Sequence, residues 1–364
     1  MICLIGNSGL KKHGVDGQTA KVRLYLKKIK DEGYDVNFID LEGFLKHPFS
    51  TLRNIKNSVK KCDRVVLISA ERGCKILIPF INKLNKKYRK PFILPLVGTS
   101  VLHYSIDKLN DAEKNDFIVN GNYSLVAPNK HLCKQLSKIT FILPETELLA
   151  KVFREYYQLV NVFTLNNFRD IEIQDSHKRT EYGILNIAFL SRVMKEKGIF
   201  DLLEAVKEMN SGTKSIKLHI YGKKVFDSET ESLFSSFLNE NINYCGVLDH
   251  TKVVTTLAGY DLFIFPTRFV GEGTPGVIVE SLIAGTPVIT SDFPQAKFLL
   301  KDGYDSLFFK MGDIKDLQDK LKIVINNPSL LETLRANAFE RGKLYTYNVE
   351  RNKFLKYICG KEGI

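Results

Sequence analysis

Along this chain, short runs of β-branched and aliphatic residues alternate with longer stretches whose apolar positions recur at helical spacing, the pattern of parallel α/β layers. In the first half ICLIG, VNFID, RVVLIS and FILPLVG read as strands, with TAKVRLYLKKIKDEG a helix between the first two. Val22, Leu24, Leu26 and Ile29 lie loosely on one helix face and Lys21, Lys27, Lys28 and Lys30 on the other, so the chain opens with a βαβ unit. NYSLVAPN and ITFILPE are expected to close that sheet. The polar, aperiodic stretch FRDIEIQDSHKRTEYG places a linker over 169–183.

Strands resume after it as ILNIAFLSR, IKLHIYG, INYCG, DLFIFP, TPVIT and SLFF, with helical segments such as KGIFDLLEAVKEMN and HTKVVTTLAGY between them. The chain ends in three helical stretches, DLQDKLKIVIN, SLLETLRANAFERG and VERNKFLKYIC. This predicts two doubly wound domains, 1–168 and 184–345, with 346–364 a helix packing back on the first.

Composition agrees with that division. At 364 residues the chain exceeds what one core supports, and 44% apolar content is enough for two. The six cysteines are scattered, with no C-x-x-C pair and no histidine at metal-ligand spacing, so they read as reduced packing residues. MICLIGNSGL lacks a basic leader and a small-residue cleavage site, and no window approaches the roughly 20 apolar residues of a membrane span. A soluble, cytoplasmic protein is expected, at most peripheral on the inner face of the cell membrane.

Charge changes the picture once it is divided. Residues 1–170 hold 28 Lys and Arg against 16 Asp and Glu, whereas 171–364 hold 25 of each. The whole excess of +12 lies in the first half, which therefore faces something anionic. Neither an RNP motif nor a Cys/His finger is present, so no nucleic-acid partner is expected. An anionic membrane surface attracts the same residues, at about 1 kcal/mol each.

The most specific local signal follows the strand DLFIFP and runs from Gly271 through Glu272, Gly273, Thr274, Pro275, Gly276 and Val277 to Glu280. Thr274 is a good N-cap and Pro275 suits a first helical position, so a helix is expected to start there with its free N–H groups at the C-terminal edge of the sheet. Gly273 and Gly276 permit close backbone approach by a phosphate or sugar. Glu280 then lies in an apolar helix, where its carboxylate needs partners: ribose hydroxyls, a neighbouring backbone, or a buried arginine. A second signal, SRVMKEKG, follows ILNIAFL. Lys197 at a helix start opposes the macrodipole unless an anion sits there, and a diphosphate would reverse that cost.

SRVMKEKGIFDLLEAV together with EGTPGVIVESLIAGTPVIT resembles the family 4 retaining glycosyltransferases of GT-B fold (glycosyl transferases group 1), whose mark is Glu-x7-Glu in the C-terminal domain. The likeness runs through about 184–345 and is weaker before it. It implies two Rossmann-like domains with parallel sheets facing a central cleft, an acceptor-binding first domain and a donor-binding second. By resemblance Glu280 binds ribose and Glu272 faces the donor hexose. Gly273, Thr274, Pro275, Gly276 and Val277 offer amides to sugar and phosphate, while Arg192 and Lys197 grip the diphosphate. The backbone at Val247 and Leu248 borders the base, and Gly17, in the first glycine loop, approaches the donor phosphates.

The chain departs from the family at three places: Asp16-Gly17 stands for a glycine pair, LPLVGTS lacks a histidine common in that loop, and Thr-Pro-Gly replaces the usual Phe-Gly after Glu272-Gly273. No Asp-x-Asp is present, so no metal and no separate cofactor are expected, and cations with helix amides take that place. The resemblance thus implies metal-independent, same-face transfer of a hexose from a nucleotide-sugar to a saccharide or lipid-linked acceptor, as in polysaccharide biosynthesis, with UDP-sugar preferred to GDP-sugar. A nucleotide-sugar epimerase or a non-catalytic sugar-nucleotide binder on the same fold are the alternatives.

Overall fold

The computed structural model describes residues 1–9, 17–98, 101–106, 108–171, 183–212, 215–269, 272, 274–293 and 295–362. The chain divides into two compact units, Met1–Asp170 with Tyr347–Ile364, and Ile171–Thr346.

In the first unit, among the described residues, β1 (Ile2–Gly6), β2 (Val36–Asp40), β3 (Arg64–Ile68), β4 (Phe92–Pro95) and β5 (Phe141–Leu143) form a parallel sheet in the order β2-β1-β3-β4-β5. Both faces are covered, because successive strand residues point to opposite sides. Ile2, Leu4, Val66 and Ile68 join a core with Val22, Tyr25 and Ile29 of the helix Gly17–Asp31. Cys3, Ile5, Val65 and Leu67 join another with Ile55 and Val59 of the helix Pro48–Lys61 and Leu77, Ile78 and Ile81 of the helix Glu71–Tyr88.

The C-terminal segment lies on the first of these faces. Phe354, Leu355 and Ile358 are buried there, and the Phe354 ring meets Tyr25 edge-on at 5.1 Å. Arg351 holds Glu32 through two bonds of 2.6 and 2.5 Å, and the Tyr347 hydroxyl donates to the same carboxylate at 2.9 Å. The guanidinium keeps the Glu32 carboxyl below its ordinary range.

NYSLVAPN, expected as a strand, is instead a 3₁₀ turn at Tyr123–Leu125 followed by irregular chain, and β5 from within ITFILPE forms the sheet's edge. The reason is local. Asn122 is bonded to Asp116 at 2.7 Å, the Asn129 side chain caps the next helix at the Leu132 amide (3.1 Å), and Pro128 has no N–H for a ladder.

In the second unit β6 (Leu185–Leu190), β7 (Ile216–Tyr221), β8 (Ile242–Gly246), β9 (Leu262–Phe265), β10 (Val288–Ser291) and β11 (Ser306–Phe309) form a parallel sheet ordered β11-β10-β9-β6-β7-β8. The chain winds outward from β6 through β7 to β8, then returns to β6's other side and continues through β9 to β11. β6 and β9 are therefore the neighbours at which strand order reverses, where ligands bind doubly wound sheets. The buried helix Gly276–Ile283 packs under this edge so closely to the helix Pro328–Lys343 that a Cβ on Gly342 would meet the Leu282 carbonyl at 2.3 Å.

Candidate active site

Two loops leave the sheet at that reversal. After β6, Val193 continues the ladder toward the loop after β7, with its amide on the Lys223 carbonyl at 2.9 Å and its carbonyl taking the Val225 amide at 3.0 Å. Gly222, at φ +135, packs so tightly there that a Cβ would meet the Ser191 carbonyl at 1.7 Å. Arg192 is thereby held on an exposed turn. A 3₁₀ turn, Lys195–Lys197, leads to Gly198 at φ +70, the N-cap of the helix Ile199–Met209. Any side chain at Gly198 would strike the Pro266 carbonyl, 1.8 Å from the Cβ position, so glycine brings the two loops together.

The loop after β9 is tied to the first by backbone and side chains. The Arg268 amide donates to the Glu196 carbonyl at 2.9 Å, and its guanidinium holds the buried Asp201 carboxylate with two bonds of 2.6 Å. That bidentate contact raises the Arg268 pKa. Ser291, at the end of β10, donates to the Thr267 carbonyl at 2.6 Å, and the Thr267 hydroxyl donates to Glu272 Oε1 at 3.0 Å. Lys197 pairs with that same oxygen, and both side chains are about nine-tenths buried. The Phe265 and Phe269 rings each lie 5.7 Å from the Lys197 ammonium. The anion that a lysine beside a helix start requires is thus supplied here by the chain itself.

The helix behind Glu272 begins at Gly276 rather than at the Thr-Pro step. Pro275 takes the N-cap place with ψ 116 and without a side-chain cap, while Thr274 is buried one residue earlier. The extended ψ at Pro275 keeps Thr274 out of the first turn, so it is not the N-cap of this helix. Glu280 is consequently one turn from the helix start, about 6 Å along the axis. It is 4% exposed, and the half-exposed His250 imidazole stands at its outer side, with Nδ1 3.6 Å from Glu280 Oε1. Asp249 fixes that histidine by capping its 3₁₀ turn at the Thr251 amide, 2.8 Å away. Leu248 and Val277 both pack on the apolar cluster containing Val279, whereas Val247 is 71% exposed.

The structure therefore joins Lys197 and Glu272 directly and sets Thr274, Pro275, Gly276 and Val277 at the start of the helix carrying Glu280. Gly273 lies outside the described residues. Gly17 belongs to the other unit, exposed at the first turn of the Gly17–Asp31 helix, and Asp16 before it is outside the described residues. Thr267, Arg268, Asp201 and His250 were not singled out from the sequence. Arg268 and Thr267 carried a signal, polar residues directly after a buried strand at the ligand edge; Asp201 reads as an ordinary helix-start acid. Among the described residues, no group of three or more His, Cys, Asp or Glu side chains could hold a metal ion.

Comparison with known proteins agrees with this architecture. Residues 170–341 match the model of the family described as glycosyl transferases group 1. The capsular polysaccharide biosynthesis glycosyltransferase CapM of Staphylococcus aureus is 28% identical over 176 residues, 48% of this chain and 44% of that protein, so the match spans less than half of the relative. The N,N'-diacetylbacillosaminyl-diphospho-undecaprenol alpha-1,3-N-acetylgalactosaminyltransferase of Campylobacter jejuni is 24% identical over 347 residues, 91% of this chain and 87% of that one. Anabaena HepE, solved in complex with UDP, superimposes with a TM-score of 0.72 at 12% identity, covering 99% of this chain and 100% of that chain. The fold is GT-B, and residues 170–341, just under half of the chain, are the part that matches the glycosyl transferases group 1 family.

Proposed function

We propose that this chain is a retaining, metal-independent glycosyltransferase that moves a hexose from a nucleotide-sugar, UDP-sugar in preference to GDP-sugar, onto a saccharide or lipid-linked acceptor in surface polysaccharide or glycolipid assembly. The observation that carries the reading is the buried Lys197–Glu272 pair at the β6/β9 reversal, one loop away from a helix start that leads to the buried Glu280. On donor binding, hexose hydroxyls donate to Glu272 and the diphosphate takes Lys197, so each partner of the pair exchanges one ionic contact for a ligand contact. Ribose hydroxyls donate to Glu280, and the base rests beside Val247 and Leu248.

As the bond from the anomeric carbon to the diphosphate oxygen breaks, negative charge grows on that phosphate. Lys197, Arg192 and the first amides of the Gly276–Ile283 helix meet it. The departing phosphate accepts the acceptor hydroxyl's proton while that oxygen attacks the same face of the sugar. The HepE complex with UDP and the undecaprenol-linked substrate in the Campylobacter relative's name support the donor and acceptor classes. The basic first unit is assigned to the acceptor.

The test is donor hydrolysis across UDP-, GDP- and ADP-sugars, with the anomer of the first-formed sugar read by NMR. The α-sugar released from an α-linked UDP donor, at a rate unchanged by chelator, is expected. An inverted anomer, or activity lost with EDTA and restored by manganese, overturns the mechanism; interconversion of free nucleotide-sugars without acceptor makes the chain an epimerase.

A further inference from the structure

After β2 the chain makes a turn over 42–46 and enters the helix Pro48–Lys61. Phe44, Ile55 and Val59 are buried and fasten this segment to the first unit's core. Two large apolar side chains do the opposite: Leu45 is 74% and Phe49 87% exposed. On the helix, Phe49, Arg53, Lys56 and Lys60 fall at i, i+4, i+7 and i+11, within an arc of about 60° at 100° per residue. All four are exposed. No aspartate or glutamate occurs from Phe44 to Cys62, and among the described residues no ion pair engages Arg53, Lys56 or Lys60. The stripe thus has an apolar tip, at the C-terminal edge of β2, and a cationic shaft.

Single exposed apolar residues need no explanation, but a Leu-Phe tip continuous with three unpaired cations and without a carboxylate matches an interfacial helix. A second copy of the chain would set three cations against three across a two-fold axis. A nucleic-acid strand would satisfy the cations and leave Leu45 without a partner.

We propose that Leu45 and Phe49, with Arg53, Lys56 and Lys60 behind them, form a docking surface for an anionic phospholipid bilayer. The two apolar side chains enter the interface and the cations face lipid phosphates. The inference rests on the lipid-held acceptor proposed above for its purpose, since docking at this point brings the unit assigned to the acceptor to the bilayer.

The chain contains no tryptophan, so Phe49→Trp supplies a single reporter. Its emission should shift to the blue with vesicles of phosphatidylcholine mixed with phosphatidylglycerol and stay put with phosphatidylcholine alone. In sedimentation with the mixed vesicles, the full chain should bind less as salt rises. Arg53→Gln/Lys56→Gln/Lys60→Gln should lower partitioning by on the order of 10² at low salt, about fivefold per cation. Leu45→Ser/Phe49→Ser should lower it at least about tenfold at any salt. UDP-sugar hydrolysis should be unchanged in both variants, which also establishes that they are folded.

No spectral shift, or wild-type sedimentation by both variants, overturns the surface. So does a dimer in analytical ultracentrifugation, or RNA binding, that the same substitutions abolish while vesicles remain unbound. Vesicle binding without donor hydrolysis defeats the transferase reading alone; hydrolysis without vesicle binding defeats this one alone.

Discussion

In the first unit, the carboxylates at the C-terminal edge of the sheet accept from backbone amides as well as from side chains. Asp40 accepts from the Ser8 hydroxyl and from the amides of Ser8 and Glu42, at 3.3 and 2.9 Å. Glu145 takes the Gly98 amide at 3.3 Å and the buried Lys21 ammonium at 2.9 Å, which in turn reaches the Leu96 carbonyl at 2.6 Å. In the second unit, the corresponding carboxylates are faced by side chains: Glu272 by Lys197 and Thr267, Glu280 by His250. A backbone donor cannot leave without unfolding its loop, whereas a lysine or imidazole can turn aside for a ligand. Edges of one architecture therefore separate into a braced one and an exchangeable one, and the first unit's surplus charge is displayed on its helices instead.

The largest expected effect tests the brace. Lys21→Met leaves Glu145 buried with an amide alone, and should cost about 3–5 kcal/mol of stability in urea unfolding. A wild-type midpoint would remove the distinction between the two edges. Next comes the exchangeable pair: Lys197→Ala should reduce kcat for donor hydrolysis by on the order of 10² to 10³, in protein shown by circular dichroism to be folded. Unchanged kcat would leave Lys197 a structural partner of Glu272 and make both edges braces.

Glu280→Gln should act on binding rather than on the chemical step, raising donor KM about tenfold with kcat nearly unchanged, because ribose does not alter during transfer. A fall in kcat with constant KM would contradict the ribose assignment. The smallest effect concerns the C-terminal segment, where Arg351→Gln should barely move the unfolding midpoint, given the exposure of the Arg351 guanidinium. Because Glu32 is held below its ordinary value of 4.5, the pair's contribution is present above that pH and is lost as pH falls through the lowered folded value. Proteolytic release of the C-terminal helix should therefore differ between Arg351→Gln and wild type at neutral pH and converge in acid.

Periodicity along the chain determined most strands and helices, since one-dimensional spacing encodes which face of an element is buried. It failed at NYSLVAPN, where apolar residues were present but asparagine side chains and Pro128 took the backbone into turns. Glu272 and Glu280 were legible because a strand, a glycine-rich turn and an apolar helix follow one another within a few residues. The start of that helix was not, because Pro275 can stand at N-cap as well as at the first helical position and only the surrounding packing selects between them.

Pairing was decided by tertiary structure alone. Lys197 meets Glu272 across 75 residues and Asp201 meets Arg268 across 67. Local sequence sets the hydrogen bonding and facing of its own element, but these contacts exist because β9 returns beside β6 and Gly198 lets the two loops touch. The cost of closing so long a loop is met by the sheet and the cores on both its faces, so the side chains at its edge inherit partners that no local spacing could specify.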